Sequence, residues 1–188
     1  MAVMKIKSNK EVIIKTATKM LSEHGNHGVT LRKVAEQSGV TLSNVQYHFG
    51  DRDGLISSVI DSYLEICLGH IRSSVQDSNV KNNPDAIKNY MINLLSFDDV
   101  QGWCEVFREI WAIASRSGKI QASLDNYYQQ CSNELVTLLI SLGFHEQRSK
   151  ELVSLLIPFI EGFSITSNSL PLEKAKVREL IINQLLEG

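Results

Sequence analysis

Apolar residues recur along this chain at helical spacing. Ile13, Ile14, Ala17, Met20 and Leu21 form one stripe with a period near 3.6, preceded by Ser8-Asn9-Lys10-Glu11, a capping box in which Ser8 accepts from the first turn. A first helix starts there, and Gly25 is its expected stop. Thr30 is the next N-cap, Leu31, Val34 and Ala35 face inward, and Gly39 ends a short second helix. Thr41 or Leu42 then opens a third, anchored by Val40, Val45 and Phe49 and closed by Gly50. The order is helix, tight turn, helix.

Beyond Asp51 the stripe lengthens through Leu55, Ile56, Val59, Ile60, Tyr63, Leu64, Cys67, Leu68 and Ile71, which predicts one long helix fading into a polar loop at 73–84. Further helices are predicted at 85–96, 102–115, 121–141, 146–166 and 172–186, with breaks at Asp98-Asp99, Ser117-Gly118, Gly143 and 168–171. No segment shows sustained two-residue alternation. The fold class is therefore all-α, with a three-helix head at 1–52 and a helical body at 53–188.

Composition narrows the class. Hydrophobic residues make up 43% and charged residues 21% of 188, with a mean hydropathy of -0.07, as in globular proteins rather than disordered ones. No apolar run approaches the ~20 residues of a membrane span, and Lys5, Lys7 and Lys10 have no apolar block behind them. A cytoplasmic protein is expected, with no membrane partner. Residues 1–52 hold eight Lys/Arg against four Asp/Glu, a formal +4; the chain carries -2, so the remainder carries -6. A basic head on an acidic body suits a head that meets a polyanion.

The third helix carries the chemistry. Ser43, Asn44, Gln46, Tyr47 and His48 crowd polar groups onto its outer side with almost no charge, which is what base and phosphate contacts require and a merely solvated face does not. Elsewhere, no Glu-x-x-His pair, nucleophile elbow or P-loop is present, so neither an enzyme nor a cofactor is expected. His24 and His27 straddle Gly25 without carboxylate or thiol companions and read as exposed loop rather than a metal site. Cys67, Cys104 and Cys131 are far apart and read as reduced, buried small hydrophobes; only Cys104, with Arg108 one turn away, has surroundings that would suit a redox thiol.

The run Val29-Thr30-Leu31-Arg32-Lys33-Val34-Ala35, then Ser38-Gly39-Val40-Thr41, then Val45 to Leu55, closely resembles the DNA-binding region of the tetracycline-repressor (TetR) family, over about residues 10–60. The resemblance implies a dimeric transcriptional regulator, typically a repressor, that binds a near-palindromic operator in double-stranded DNA and yields it to a small-molecule effector. It makes 1–52 the helix-turn-helix domain and 53–188 the ligand-binding and dimerisation domain. By the same resemblance Arg32 and Lys33 approach DNA from the second helix, and Thr41, Leu42, Ser43, Asn44, Gln46, Tyr47 and His48 form the recognition helix. Tyr47 and His48 are then phosphate contacts, as is Arg52, where the family usually has lysine. Gln46 departs from the common aromatic residue and, with Asn44, is expected to read bases, since a side-chain amide can pair bidentately with adenine; the alternatives are that Asn44 caps or solvates the helix and Gln46 meets a phosphate. Leu42, where a polar side chain is frequent, can meet a thymine methyl.

In the body, Trp103, Phe107, Trp111, Tyr127 and Tyr128 concentrate aromatic surface, with Glu105, Glu109 and Glu161 as anions, a set suited to a cationic or aromatic effector. Ordinary core packing is the competing reading of the aromatics. Trp103, Phe107, Trp111 and the stretch 156–163 also resemble the choline-responsive BetI-like branch of the family. Leu152, Leu155, Phe159 and Phe163, with Val177, Leu180 and Ile181, form two wide stripes expected to pair with their twins in a homodimer, although packing within one chain would use the same pattern.

Overall fold

The computed structural model describes residues 8–76 and 103–187 together with Lys88 and Ile92, with side chains described over 8–73 and 105–185. Most of the expected loop at 73–84, the helix at 85–96, the break at Asp98-Asp99 and the side chains of Trp103, Cys104 and Leu186 lie outside the described residues. Among the described residues there are eight α-helices and no strands: α1 (Asn9–Gly28), α2 (Leu31–Ser38), α3 (Leu42–Phe49), α4 (Arg52–Gln76), α5 (Trp103–Ala114), α6 (Gly118–Ser141), α7 (Glu146–Thr166) and α8 (Lys174–Glu187), with a 3-10 turn at Ser167–Ser169.

The helix ends are set locally. Ser8, Thr30 and Thr41 each extend backbone into β conformation, and each hydroxyl accepts from the amide three residues on, at 3.3, 3.3 and 3.2 Å. Gly39 and Gly50 close α2 and α3. At α4 and α6 the expected boundaries move. Ser73 bonds back to the Gly69 carbonyl, and α4 runs on to Gln76. α6 begins at Gly118, before the expected 121, because the Ser117 hydroxyl caps the Ile120 amide.

Two compact units divide the chain, one of residues Met1–Cys67 with Glu105–Tyr127, the other of Leu68–Cys104 with Tyr128–Gly188. The boundary drawn at residue 52 falls inside the first, because the stripe of α4 continues that unit's core. In it, Ile13, Ala17, Met20 and Leu21 of α1 are buried with Val34 and Ala35 of α2, Val45 and Phe49 of α3, and Leu55 and Val59 of α4. At the α3–α4 corner a Cβ on Gly54 would lie 2.2 Å from the Phe49 carbonyl oxygen, so only glycine lets α4 leave that close to α3. Asp51 caps the start of α4 by accepting from the Gly54 amide at 2.8 Å.

The second unit is built on Leu135 and Leu139 of α6, Leu152, Val153 and Leu156 of α7, and Ile182 and Leu185 of α8. Each such fully buried side chain contributes about 1.5–3 kcal/mol. Glu146–Ser169 has the length and apolar content of a membrane span although no single apolar run reaches it; on it Leu152, Val153 and Leu156 lie in the unit's core and Phe163 is buried.

Candidate nucleic-acid interface

α2 and α3 pack on one another and on α1, so burial fixes which side of α3 remains outside. Val45 and Phe49 are buried; Thr41, Ser43, Gln46 and Tyr47 are exposed, Tyr47 to 83%. Leu42, Asn44 and His48 are half-buried, and the His48 ring lies 5.1 Å from that of Tyr47 in an edge arrangement. Arg32 and Lys33 are exposed on α2. Both helices thus keep sequence-selected polar side chains at the surface. A tyrosine this exposed contributes nothing to the core, and a phenol at the surface has the chemistry of a phosphate contact.

Two residues of that set sit differently from the rest. The Asn44 amide oxygen is buried without a hydrogen-bond partner, so its carboxamide does not present both its acceptor and its donor outward. Arg52 is turned to the protein. Its Nε donates to the Val29 carbonyl at 2.9 Å, Nη2 donates to the Asn26 carbonyl and, at 2.7 Å, to Asn26 Oδ1, and Nη1 lies 3.7 Å from the exposed Asp53 carboxylate. The guanidinium fork gathers the carbonyls that end α1.

The end of α1 also differs from expectation. Gly25 leaves helical geometry at φ 64° and ψ -179°, yet the chain takes another turn to Gly28. The Asn26 amide donates to Glu109 Oε2 of α5 at 2.8 Å, which with Arg52 holds that turn in place. His24 and His27 lie exposed on either side of Gly25. Asn26 was not among the residues the sequence singles out; its position after a helix-stopping glycine is the one local signal for it.

The aromatic residues of the body do not all gather. Phe107, Tyr127 and Tyr63 are buried in the first unit, Phe107 lying 5.7 Å from Tyr63, 5.5 Å from Tyr127 and 6.4 Å from the half-buried Trp111. Tyr128 belongs to the second unit, where its hydroxyl donates to Glu161 Oε1 at 2.9 Å. Of the three carboxylates expected to serve a cation, Glu109 and Glu161 thus have partners within the protein, and Glu105 is exposed. Cys67 and Cys131 are buried.

On α7 and α8 the stripes divide. Leu152 and Phe163 are buried within the second unit, Phe163 stacked on Phe159 at 5.2 Å and covered by the Arg178 guanidinium at 5.9 Å. Leu155 (59%), Ile165 (53%) and Leu180 (47%) stay exposed, and Phe159, Val177 and Ile181 are half-buried. Ile165, which the sequence reading passed over, continues the outer face of Leu155, Pro158 and Gly162.

Comparison with known proteins agrees with this geometry. Residues 13–59 match the family described as bacterial regulatory proteins, tetR family. Over 185 residues the chain is 31% identical to an uncharacterized helix-turn-helix-type transcriptional regulator in the dhlA 5′ region of Xanthobacter autotrophicus, covering 98% of this chain and 92% of that one. Among solved structures, one assigned as a TetR-family transcriptional regulator from Mesorhizobium loti superposes with a TM-score of 0.80 at 17% identity over 95% of both chains. A transcriptional regulator from Saccharomonospora viridis in complex with choline superposes at 0.74 and 15% identity, again over 95% of both.

Proposed function

Because the chain belongs to the tetR family of bacterial regulatory proteins and is a helix-turn-helix transcriptional regulator, we propose that α3 reads the operator, that two copies bind together, and that a small molecule tunes binding. The observation that carries the first part is the outer face of α3. It offers Gln46, Ser43, Thr41 and Tyr47 to solvent while Val45 and Phe49 hold it to the head. Gln46 is the residue for base readout, since its exposed amide can pair with adenine N6 and N7 together. Arg32, Lys33, Tyr47 and His48 serve phosphates, and Leu42 meets a thymine methyl.

Gln46→Ala is expected to cost about 1–3 kcal/mol at the cognate operator and to relax preference at one base pair per half-site, leaving random-sequence binding nearly unchanged. Affinities of native protein and variant for a panel of single-base operator variants decide it. A uniform loss across the panel would give Gln46 to the phosphate backbone. Lys33→Ala is expected to do the opposite, weakening cognate and random duplexes alike and reducing the salt slope by about one. An unchanged slope in salt-titrated binding would remove Lys33 from the phosphate contacts.

One eight-residue recognition helix reads too few bases to be selective alone, so we place two heads on half-sites about one DNA turn (~34 Å) apart. The exposed Leu155 and Ile165 of α7 and Leu180 of α8 support a two-fold pairing through these helices. A Cβ on Gly162 would meet nothing within 4 Å, which leaves room for a partner's backbone between those side chains. The effector is a cationic or aromatic small molecule taken up beside Trp111 and released to shift operator affinity; choline bound to the S. viridis protein supports the cationic choice. The protein acts on DNA in the cytoplasm, most simply as a repressor.

A further inference from the structure

We propose that Glu109 of α5 is a positioning residue for operator binding, holding the end of α1 and, through Asn26 and Arg52, setting the direction in which α3 is presented. The inference rests on the reading of α3 as the operator-binding element.

Glu109 is separated from Asn26 by 83 positions, yet its carboxylate accepts the Asn26 amide at 2.8 Å. The approach requires Gly25. A Cβ there would lie 3.3 Å from both carboxylate oxygens, and its φ of 64° disfavours any side chain. On its other side Asn26 is held by Arg52, which takes both the backbone and side-chain oxygens. A single residue is thus gripped by an anion at its N–H and a cation at its C=O. The anion acts on the Gly25–Asn26 peptide and the cation on the Asn26–His27 peptide, so both bonds are charge-assisted and hold the residue from its two sides.

The grip extends to α3. Arg52 follows Phe49, the last residue of α3, by three positions, and the corner between them is fixed by Asp51 and Gly54. At the other end, Glu109 lies two positions from both Phe107 and Trp111 on the same helix, so any displacement of α5 at its aromatic cluster carries the carboxylate with it. Adhesion alone does not call for a carboxylate. Val106, Phe107 and Ile110 already bury α5, and a half-buried charge gives less net stability than an apolar contact of the same size. What the hydrogen bond adds is direction, because the Asn26 N–H has to point at its acceptor within a limited angle whereas an apolar contact has no such requirement.

The test uses the full chain and a duplex selected from a random-sequence pool by the native protein. Two further probes carry the same sequence as a single half-site, and with one base pair inserted between the half-sites. Glu109→Ala is expected to lose about 5-fold or more on the selected duplex, to stay within about 2-fold of native on the single half-site, and to discriminate less against the altered spacing. Glu109→Gln keeps an acceptor for the Asn26 amide and is expected to recover most of the spacing preference. Gly25→Ala leaves every partner in place and crowds Glu109, so it is expected to show the same split as Glu109→Ala and decides the matter if that variant does not fold. Equal losses on all probes, or an unchanged spacing preference in both variants, would overturn the positioning role. If the native protein selects no duplex, the reading of α3 fails first, which is a separate result.

Discussion

Replacing Leu155 with Glu is expected to leave a folded chain that sediments as a monomer and loses about 10²–10⁴-fold in operator affinity. The side chain is 59% exposed and supports none of the second unit's core, so the substitution costs the monomer little. In the proposed pairing it would place two carboxylates at the centre of an apolar face, where the penalty for burying unpaired charge exceeds what the surrounding leucine and isoleucine contacts return. The loss on DNA follows from linkage. Once one head is bound, the second is held near its half-site at a high effective concentration, and a monomer forfeits that advantage while keeping each head intact. Sedimentation, helicity and binding to full and half operators check the three parts. A Leu155→Glu variant that remains dimeric would place the pairing on another surface.

Arg52→Ala is expected to destabilise the protein by about 2–4 kcal/mol, since a charged fork disappears and leaves the carbonyls of Val29 and Asn26 to be satisfied otherwise. Val29 is wholly buried, so water replaces the lost donor poorly. In thermal denaturation this corresponds to a fall of roughly 5–15 °C for a chain of this size. Arg52→Lys is expected to recover only part of it, because an ammonium group is a point donor and cannot serve carbonyls on two sides at once. The family resemblance implies a DNA phosphate as the partner of Arg52, and the two roles predict different signatures. A phosphate contact would leave the melting temperature unchanged and lower the salt slope by about one. That pattern in the Ala variant would return Arg52 to the DNA.

The difference over Arg52 shows where the sequence is legible. Ser8, Thr30, Thr41, Gly39 and Gly50 act within one turn of themselves, and the helix ends they predict are found where expected. The buried positions of the head follow from periodicity for the same reason. Gly25 misleads because the extra turn beyond it is held by Glu109 and Arg52, both remote in sequence. Phe107 and Tyr127 could line a cavity or fill a core at the same helical spacing, and only the folded chain packs Phe107 on both Tyr63 and Tyr127. The stripe on α7 is wide enough to serve two faces. Leu152 turns to its own unit and Leu155 to the outside, a distinction that depends on which neighbours α6 and α8 supply.

During synthesis the two pieces of the first unit leave the ribosome at different times. Residues up to Cys67 are made before any of Glu105–Tyr127, and at ~5–20 residues per second the wait until Tyr127 emerges lasts some ~3–12 s. For roughly the first two-thirds of it, Asn26 lacks the carboxylate of Glu109, and Tyr63 lacks the ring of Phe107. The nascent head is therefore a partly built object with an uncovered apolar seam along α4, a natural client for a holding chaperone. A gene truncated after α4 would make that state permanent, and its product is expected to aggregate or be degraded rather than persist as a free DNA-binding fragment.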